Sequence, residues 1–404
     1  EPVSERRDLG SAWTWSFGLM ATPVKPLPPD WRKWRLEPGR GANVSIVWPS
    51  PSLIKYFGYP WPTTPEDYRK MVESKHAQGI KVVPYSCLTF LSEASPEWSA
   101  FSEEWAVPGV ADRTSSDVGA YNVGFMGVCP GAEGWADFAV WANKRYMNTF
   151  ELDGLYHDNT FPYACNNELH GHGWQEEGQR NRRSVYPILA HRRLYRRIYA
   201  MMKDLGRETY MMAHMSGRVN MPVLSFTDAY LDGEHFRSWV DDDYRKVLPL
   251  DQFRAEFMGR QWGIMPVFLP ELGEKARQTR EATRQMLSMT LLHDTPVWAI
   301  WCSTPAVDEV RRALDEFGYV QADFAPYWQE PVRSDDPDVR VSAYLRDEKA
   351  LLVVSNFAYE AKTVTLEADR AKLKLGADPM VAMDAESGQS VAAAGAPVKL
   401  TVPA

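Results

Sequence analysis

Short apolar runs alternate with longer amphipathic stretches along most of this chain. The runs are Trp15–Thr22, Asn43–Trp48, Lys81–Ser86, Gly154–Asp158, Thr209–His214, Asp228–Asp232, Met265–Leu269 and Val297–Cys302. Brief apolar segments of this kind, bounded by turn residues, read as strands buried on both faces. Between them, Pro65–Gln78, Ala136–Phe150, Ser184–Leu205, Leu250–Arg260, Arg280–His293 and Val307–Phe317 repeat apolar residues at helical spacing. Thr64-Pro65 opens the first helix, and Gly79 and Gly206 close the first and third. Strands alternating with helices predict a parallel sheet covered by helices, and eight such units predict a (β/α)8 TIM barrel over residues 1–327. Beyond Tyr327 the period shortens. Val339–Leu345, Ala350–Asn356, Lys362–Leu366 and Val398–Val402 alternate as antiparallel strands do, predicting a small C-terminal β-sandwich over 338–404 that packs on the barrel, after an exposed linker at Pro331–Pro337.

Composition narrows the function. A chain of 404 residues, 45% hydrophobic, suits one large domain and a smaller one. Its 16 Trp, 18 Tyr and 16 Phe gather beside turns and strand ends, as in Trp13-Thr-Trp15, Trp48, Tyr56–Trp61 and Trp298/Trp301. Aromatics in those places can serve as flat platforms for sugar rings. A net charge of -8 argues against nucleic acid as a partner, and Arg192-Arg193 with Arg196-Arg197 read as the solvated face of a helix. The absence of any 18-residue apolar run argues against a membrane span. Cys87, Cys129, Cys165 and Cys302 lack CxxC spacing. His170-Gly-His172 resembles half of a metal site but has no partner at a recognisable spacing, so neither metal nor cofactor is expected. Glu1 opens the chain with no apolar leader, which suggests a processed protein, secreted or periplasmic.

The chemistry centres on Asp153-Gly-Leu-Tyr-His-Asp158-Asn159. Side chains on a strand alternate faces, so Gly154, Tyr156 and Asp158 share one, and Asp158 ends the strand where barrel enzymes place reacting groups. A second acid follows the sixth strand in Asp228-Ala-Tyr230-Leu-Asp232-Gly-Glu234-His235, and a third, Glu271, follows the seventh. Glycoside cleavage needs two carboxyl groups flanking the bond, one to protonate the leaving oxygen and one ionised. Asp158 is the expected nucleophile, with either Asp232 or Glu234 as acid/base. Lys25, Trp48, Tyr156, Asn159, His214, His235, Glu271 and Trp301 are expected to contact substrate. Two long connections, from Cys87 to Gly134 and from Asn159 to Arg183, are expected to wall the pocket.

The Asp158 strand, with a second acid after strand six, resembles the retaining glycoside hydrolases of the α-galactosidase and α-glucosidase clan and the related endo-α-N-acetylgalactosaminidases. The opening Gly18-Leu-Met-Ala-Thr-Pro-Val-Lys-Pro, with Asp30-Trp-Arg, resembles a set of uncharacterised bacterial glycosidase-like proteins. The resemblance implies a barrel over about residues 10–325, a carbohydrate substrate with an α-galactoside- or α-N-acetylgalactosaminide-type linkage, and a retaining mechanism. Tyr156 departs from the basic residue that often stands two positions before the clan's nucleophile. A β-glycosidase arrangement using Glu234 and Glu271, and a non-catalytic carbohydrate-binding barrel, are the alternatives.

Overall fold

A computed structural model describes residues 17–175 and 180–404. Strands β1 (Val44–Val47), β2 (Lys81–Cys87), β3 (Gly154–Asp158), β4 (Tyr210–His214), β5 (Ala229–Asp232) and β6 (Met265–Phe268) form one sheet in that order. Every neighbouring pair is parallel, which requires crossovers. Helices α1 (Pro65–Ala77), α2 (Glu133–Thr149), α3 (Ile188–Lys203) and α4 (Leu250–Phe257) lie on four of them, and α5 (Arg280–Leu292) and α6 (Thr304–Phe317) follow β6. Two single parallel bridges extend the ring, Val297 to Phe268 and Leu36 to Val44. The Trp298 indole donates to the Glu37 carbonyl at 2.6 Å across the seam.

The predicted strands at the two ends of the series therefore differ from expectation. Val297–Cys302 shrinks to one bridge, and Leu36, not Trp15–Thr22, pairs beside β1. Trp13 and Trp15 lie outside the described residues. Phe17 and Leu19 are exposed, and Pro23, Pro26, Pro28 and Pro29 deprive the following segment of backbone donors.

Alternation decides what the barrel holds. Val83, Tyr85, Cys87, Tyr156, Met212, Ala229, Leu231, Met265 and Val267 belong to the interior cluster with Trp34 and Trp298. Their neighbours Val82, Leu155, Met211, Ala213 and Tyr230 pack in a second cluster with the covering helices. Each large apolar side chain buried this way contributes about 1.5–3 kcal/mol. Gly154 lets two strands meet, since a Cβ there would stand 2.0 Å from the Tyr210 carbonyl oxygen. Helix α1 starts on Pro65 with Glu66 and Asp67 in its first turn and ends with Lys75 and His76, charges that suit the helix dipole.

The long connection after β2 folds on itself. Phe90–Ser92, Phe125–Val128 and Ala106–Asp112 form an antiparallel sheet, with a helix at Pro96–Trp105. At the other end, the buried Arg32 guanidinium grips Asp294 through two bonds of 2.8 and 2.7 Å and donates to the Ala322 carbonyl at 2.6 Å.

The C-terminal region holds two three-stranded antiparallel sheets. One comprises β7 (Asp323–Ala325), β9 (Val339–Arg346) and β10 (Lys349–Asn356); the other comprises β8 (Val332–Ser334), β11 (Lys362–Ala368) and β12 (Val398–Val402). Val341, Val364, Leu366 and Val402 share their core. The expected linker at 331–337 carries β8 instead. Ser342, Tyr344 and Ser355 donate to the Leu292, Leu291 and Ser288 carbonyls, so this sandwich sits on α5.

Candidate active site

Asp158 ends β3 on the interior face, as the alternation requires. The Tyr85 hydroxyl donates to its Oδ2 at 2.7 Å, and the backbone N–H and side-chain amide of Asn159 donate at 2.8 and 3.1 Å. His214 Nδ1 stands 3.0 Å from Oδ1. Burial alone would raise this carboxyl's pKa, but the bonds and charge of His214 and the other donors hold it below the usual range. Asp158 is thus an ionised, oriented carboxylate. Asn159 takes a left-handed backbone (φ 52°) that turns its amide onto Asp158.

His214 ends β4 and is buried. Besides Asp158, its Nδ1 lies 2.8 Å from the Tyr156 hydroxyl, and its Nε2 lies 3.5 Å from Glu234 Oε2. Burial would lower its pKa, yet Asp158, Glu234 and Asp232 together push it up to about 9. An imidazolium therefore stands between Asp158 and Glu234 at neutral pH. Tyr156 and Tyr85 rest against each other with ring centroids 5.6 Å apart. Trp48 meets Tyr85 edge-on at 4.8 Å and leaves 48% of its surface open, as a platform would.

The two acids after β5 part company. Glu234 opens a single 3-10 turn, takes a 3.4 Å bond from the Ser216 hydroxyl, and keeps 37% of its side chain exposed beside His214. Asp232 is fully buried on the other face. Ala229 and Leu231 fill the interior, so Tyr230 and Asp232 point outward. Asp232 Oδ1 accepts from the Gly217 and Gly233 N–H groups at 2.8 Å each and meets His235 at 3.2 Å. His235 continues to Glu256, whose carboxyl is pushed up to about 7 by burial and by Asp232. Asp232 and His235 therefore shape the turn that carries Glu234 and do not face the open side of His214.

Glu271 is buried. Its Oε2 lies 3.6 Å from Arg237, and burial first, then the Glu234 charge, push its carboxyl up to about 7 against the nearby cations. Trp301 sits under the Arg237 guanidinium, 5.5 Å from its ring centre. Lys25 is elsewhere. Its ammonium donates to the Thr227 carbonyl before β5 begins, beside Tyr199, so it belongs to the end of the barrel opposite Asp158. The packing of Pro23–Leu27 under the barrel, with Val24 N–H bonded to the Trp262 carbonyl, carries it there.

Tyr85 was missing from the expected site. It shares a face with Val83 near the carboxyl end of β2, the same signal that placed Asp158. The His170-Gly-His172 pair also differs from expectation, since Cys129 and Cys165 come together with it. An open concavity lined by Asp241, Asp242, Lys275 and Gln285 contains none of the groups around His214.

Residues 12–179 match a domain of unknown function, DUF6259, and residues 306–395 match the glycoside hydrolase 123 C-terminal domain. A trehalose-6-phosphate hydrolase from Bacillus licheniformis superposes with a TM-score of 0.58 at 11% identity, covering 93% of this chain and 98% of its own. A noncanonic maltogenic alpha-amylase from Thermotoga neapolitana gives 0.56 at 12% identity, covering 90% and 88%. The alpha-amylase of Geobacillus thermoleovorans, solved with acarbose, gives 0.52 at 9%, covering 84% and 79%. The chain shares the fold of these glycosidases. At these identities the likeness is one of fold, a (β/α)8 barrel followed by a β-sandwich. No curated protein matches the sequence. The α-galactosidase clan suggested by the Asp158 motif is a finer assignment than a shared glycosidase barrel carries.

Proposed function

We propose that the protein is a retaining glycoside hydrolase acting on an oligo- or polysaccharide, with Asp158 as nucleophile and Glu234 as acid/base. The observation that supports this reading most is His214, one buried imidazolium with the strand-end Asp158 on one side and Glu234, from the turn after β5, on the other. Asp158 attacks the anomeric carbon as the glycosidic C–O bond breaks, and Glu234 gives its proton to the leaving oxygen. Glu234 then takes a proton from water, which attacks the same carbon and releases Asp158. His214 keeps the nucleophile ionised, and Trp48 offers the sugar an open aromatic face. An α-galactoside or α-N-acetylgalactosaminide linkage is the first to try.

A panel of aryl glycosides and natural oligosaccharides tests the reading. Turnover should appear with one sugar class, vanish in Asp158→Asn, and return in part when azide is added to Glu234→Ala. Absence of turnover across the panel, with binding retained, would instead favour a carbohydrate-binding barrel.

Glu271 supports a second reading. Its carboxyl, pushed up to about 7, still holds a proton near neutrality, as a general acid must. If Glu271→Gln removes the basic limb of the kcat/KM profile and Glu234→Gln does not, Glu271 is the proton donor.

A further inference from the structure

Cys129, Cys165, His170 and His172 place their ligating atoms within 4.8 Å of one another. The four come from two connections far apart in sequence. Cys129 follows the strand Phe125–Val128 of the first, and the other three lie on the loop after β3. His172 Nδ1 stands 3.4 Å from Cys129 Sγ, and His170 Nδ1 stands 3.4 Å from Cys165 Sγ. Zinc bonds of about 2.3 Å to sulfur and 2.0 Å to nitrogen, at the tetrahedral angle, set such atoms roughly 3.5 Å apart.

The surroundings suit ligation too. The Gly131 N–H donates to Cys129 Sγ at 3.4 Å and the Asn167 N–H to Cys165 Sγ at 3.5 Å, bonds that favour thiolates. His170 Nε2 bonds the Glu104 carbonyl, which fixes the proton there and leaves Nδ1 a lone pair for a metal. The His172 carbonyl accepts a 2.6 Å bond from Arg182, steadying the second imidazole's backbone. Gly131 leaves room for that ring, since a Cβ would stand 2.3 Å from His172 Cε1.

We propose that these four side chains bind one structural Zn²⁺ that pins the loop after Asp158 to the connection after β2. Two thiolates and two imidazoles at tetrahedral spacing select zinc among divalent ions, and four protein ligands leave no open position for catalysis. The site joins the two long connections at the catalytic face: Phe90 and Tyr163, one from each, meet with ring centroids 5.2 Å apart. It stands apart from Asp158 and Glu234 and does not depend on their roles.

The 404-residue chain, purified without chelator, should carry about one zinc per molecule by elemental analysis. Stripped protein titrated with Co²⁺ should show visible d–d bands and a near-ultraviolet thiolate charge-transfer band that saturate at about one equivalent. Cys129→Ser with Cys165→Ser should lose both signals. Chelator should lower the wild-type Tm by roughly 5 °C or more and leave the double variant unmoved. The proposal is overturned if wild-type protein, reconstituted with Zn²⁺ and desalted, retains less than about a tenth of an equivalent, or if bound Co²⁺ shows no thiolate band. A Cys129–Cys165 disulfide in freshly purified, metal-free protein would overturn it as well.

Discussion

Tyr85 and His214 set the state of Asp158 from opposite sides, one with a neutral donor and one with a charge. Replacing Asp158 by Asn should cut kcat by at least about 10³-fold, with circular dichroism unchanged. Tyr85→Phe removes a bond made to the charged form, so the Asp158 pKa should rise and the acidic limb of the kcat/KM profile should move to higher pH. A limb that stays in place would mean that the 2.7 Å contact does not bear on the carboxylate. The His214 proton is bound more tightly in the folded chain, with a pKa of about 9 against an ordinary value of about 6.5. Its stabilising contribution is therefore full below about pH 6.5 and is lost as pH rises through about 9. Asp158, held low, acts in the opposite sense: its contribution is full above the ordinary carboxyl range and is lost as pH falls through its depressed value. Wild type should thus lose a few degrees of Tm between pH 7 and 9.5 relative to His214→Gln, measured by scanning calorimetry.

At the scale of elements, much of the architecture was legible because burial on both faces writes a strand as a short apolar run. β2 to β6 lie within a residue of their expected limits, and Asp158 landed on the inward face because its parity with Tyr156 is local information. Asp232 shows where that information stops. Parity groups it with Tyr230 but does not say which face of the sheet is the inside, and the covering helices decide that. Lys25 lay beyond reach for a related reason, since its place depends on how a proline-rich segment wraps the barrel. The turn after β5 is a sensitive element. Gly233 has φ 134°, and a Cβ there would stand 2.2 Å from the Leu269 carbonyl oxygen. Gly233→Ala should displace Glu234 and lower kcat by roughly 10²-fold while Asp158 stays in place. Near-normal kcat in a folded Gly233→Ala variant would argue that the position of Glu234 does not matter.

For the whole molecule, closure rests on contacts between distant segments. The Arg32–Asp294 pair joins the segment before β1 to the end of α5 and, through Ala322, to the start of the sandwich. Arg32→Ala leaves the buried Asp294 carboxylate with Arg260, at 2.9 Å, as its remaining cation, and should cost about 1.5–3 kcal/mol in urea unfolding. Such pairing is silent in a sequence, because its partners are 262 positions apart. The proposed metal site is silent for the same reason, since two close histidines gain meaning only when Cys129 is brought to them.

The seat of the sandwich on α5 bears on how this chain can be cut. Ser342, Tyr344 and Ser355 reach the carbonyls of one helix, the helix that follows β6 and Glu271. A shortened chain ending near residue 322 would bare that surface to solvent, and it should accumulate as inclusion bodies in place of soluble barrel. Recombination between such enzymes would then succeed when the exchanged piece begins upstream of Arg280, so that helix and sandwich move as one heritable cassette.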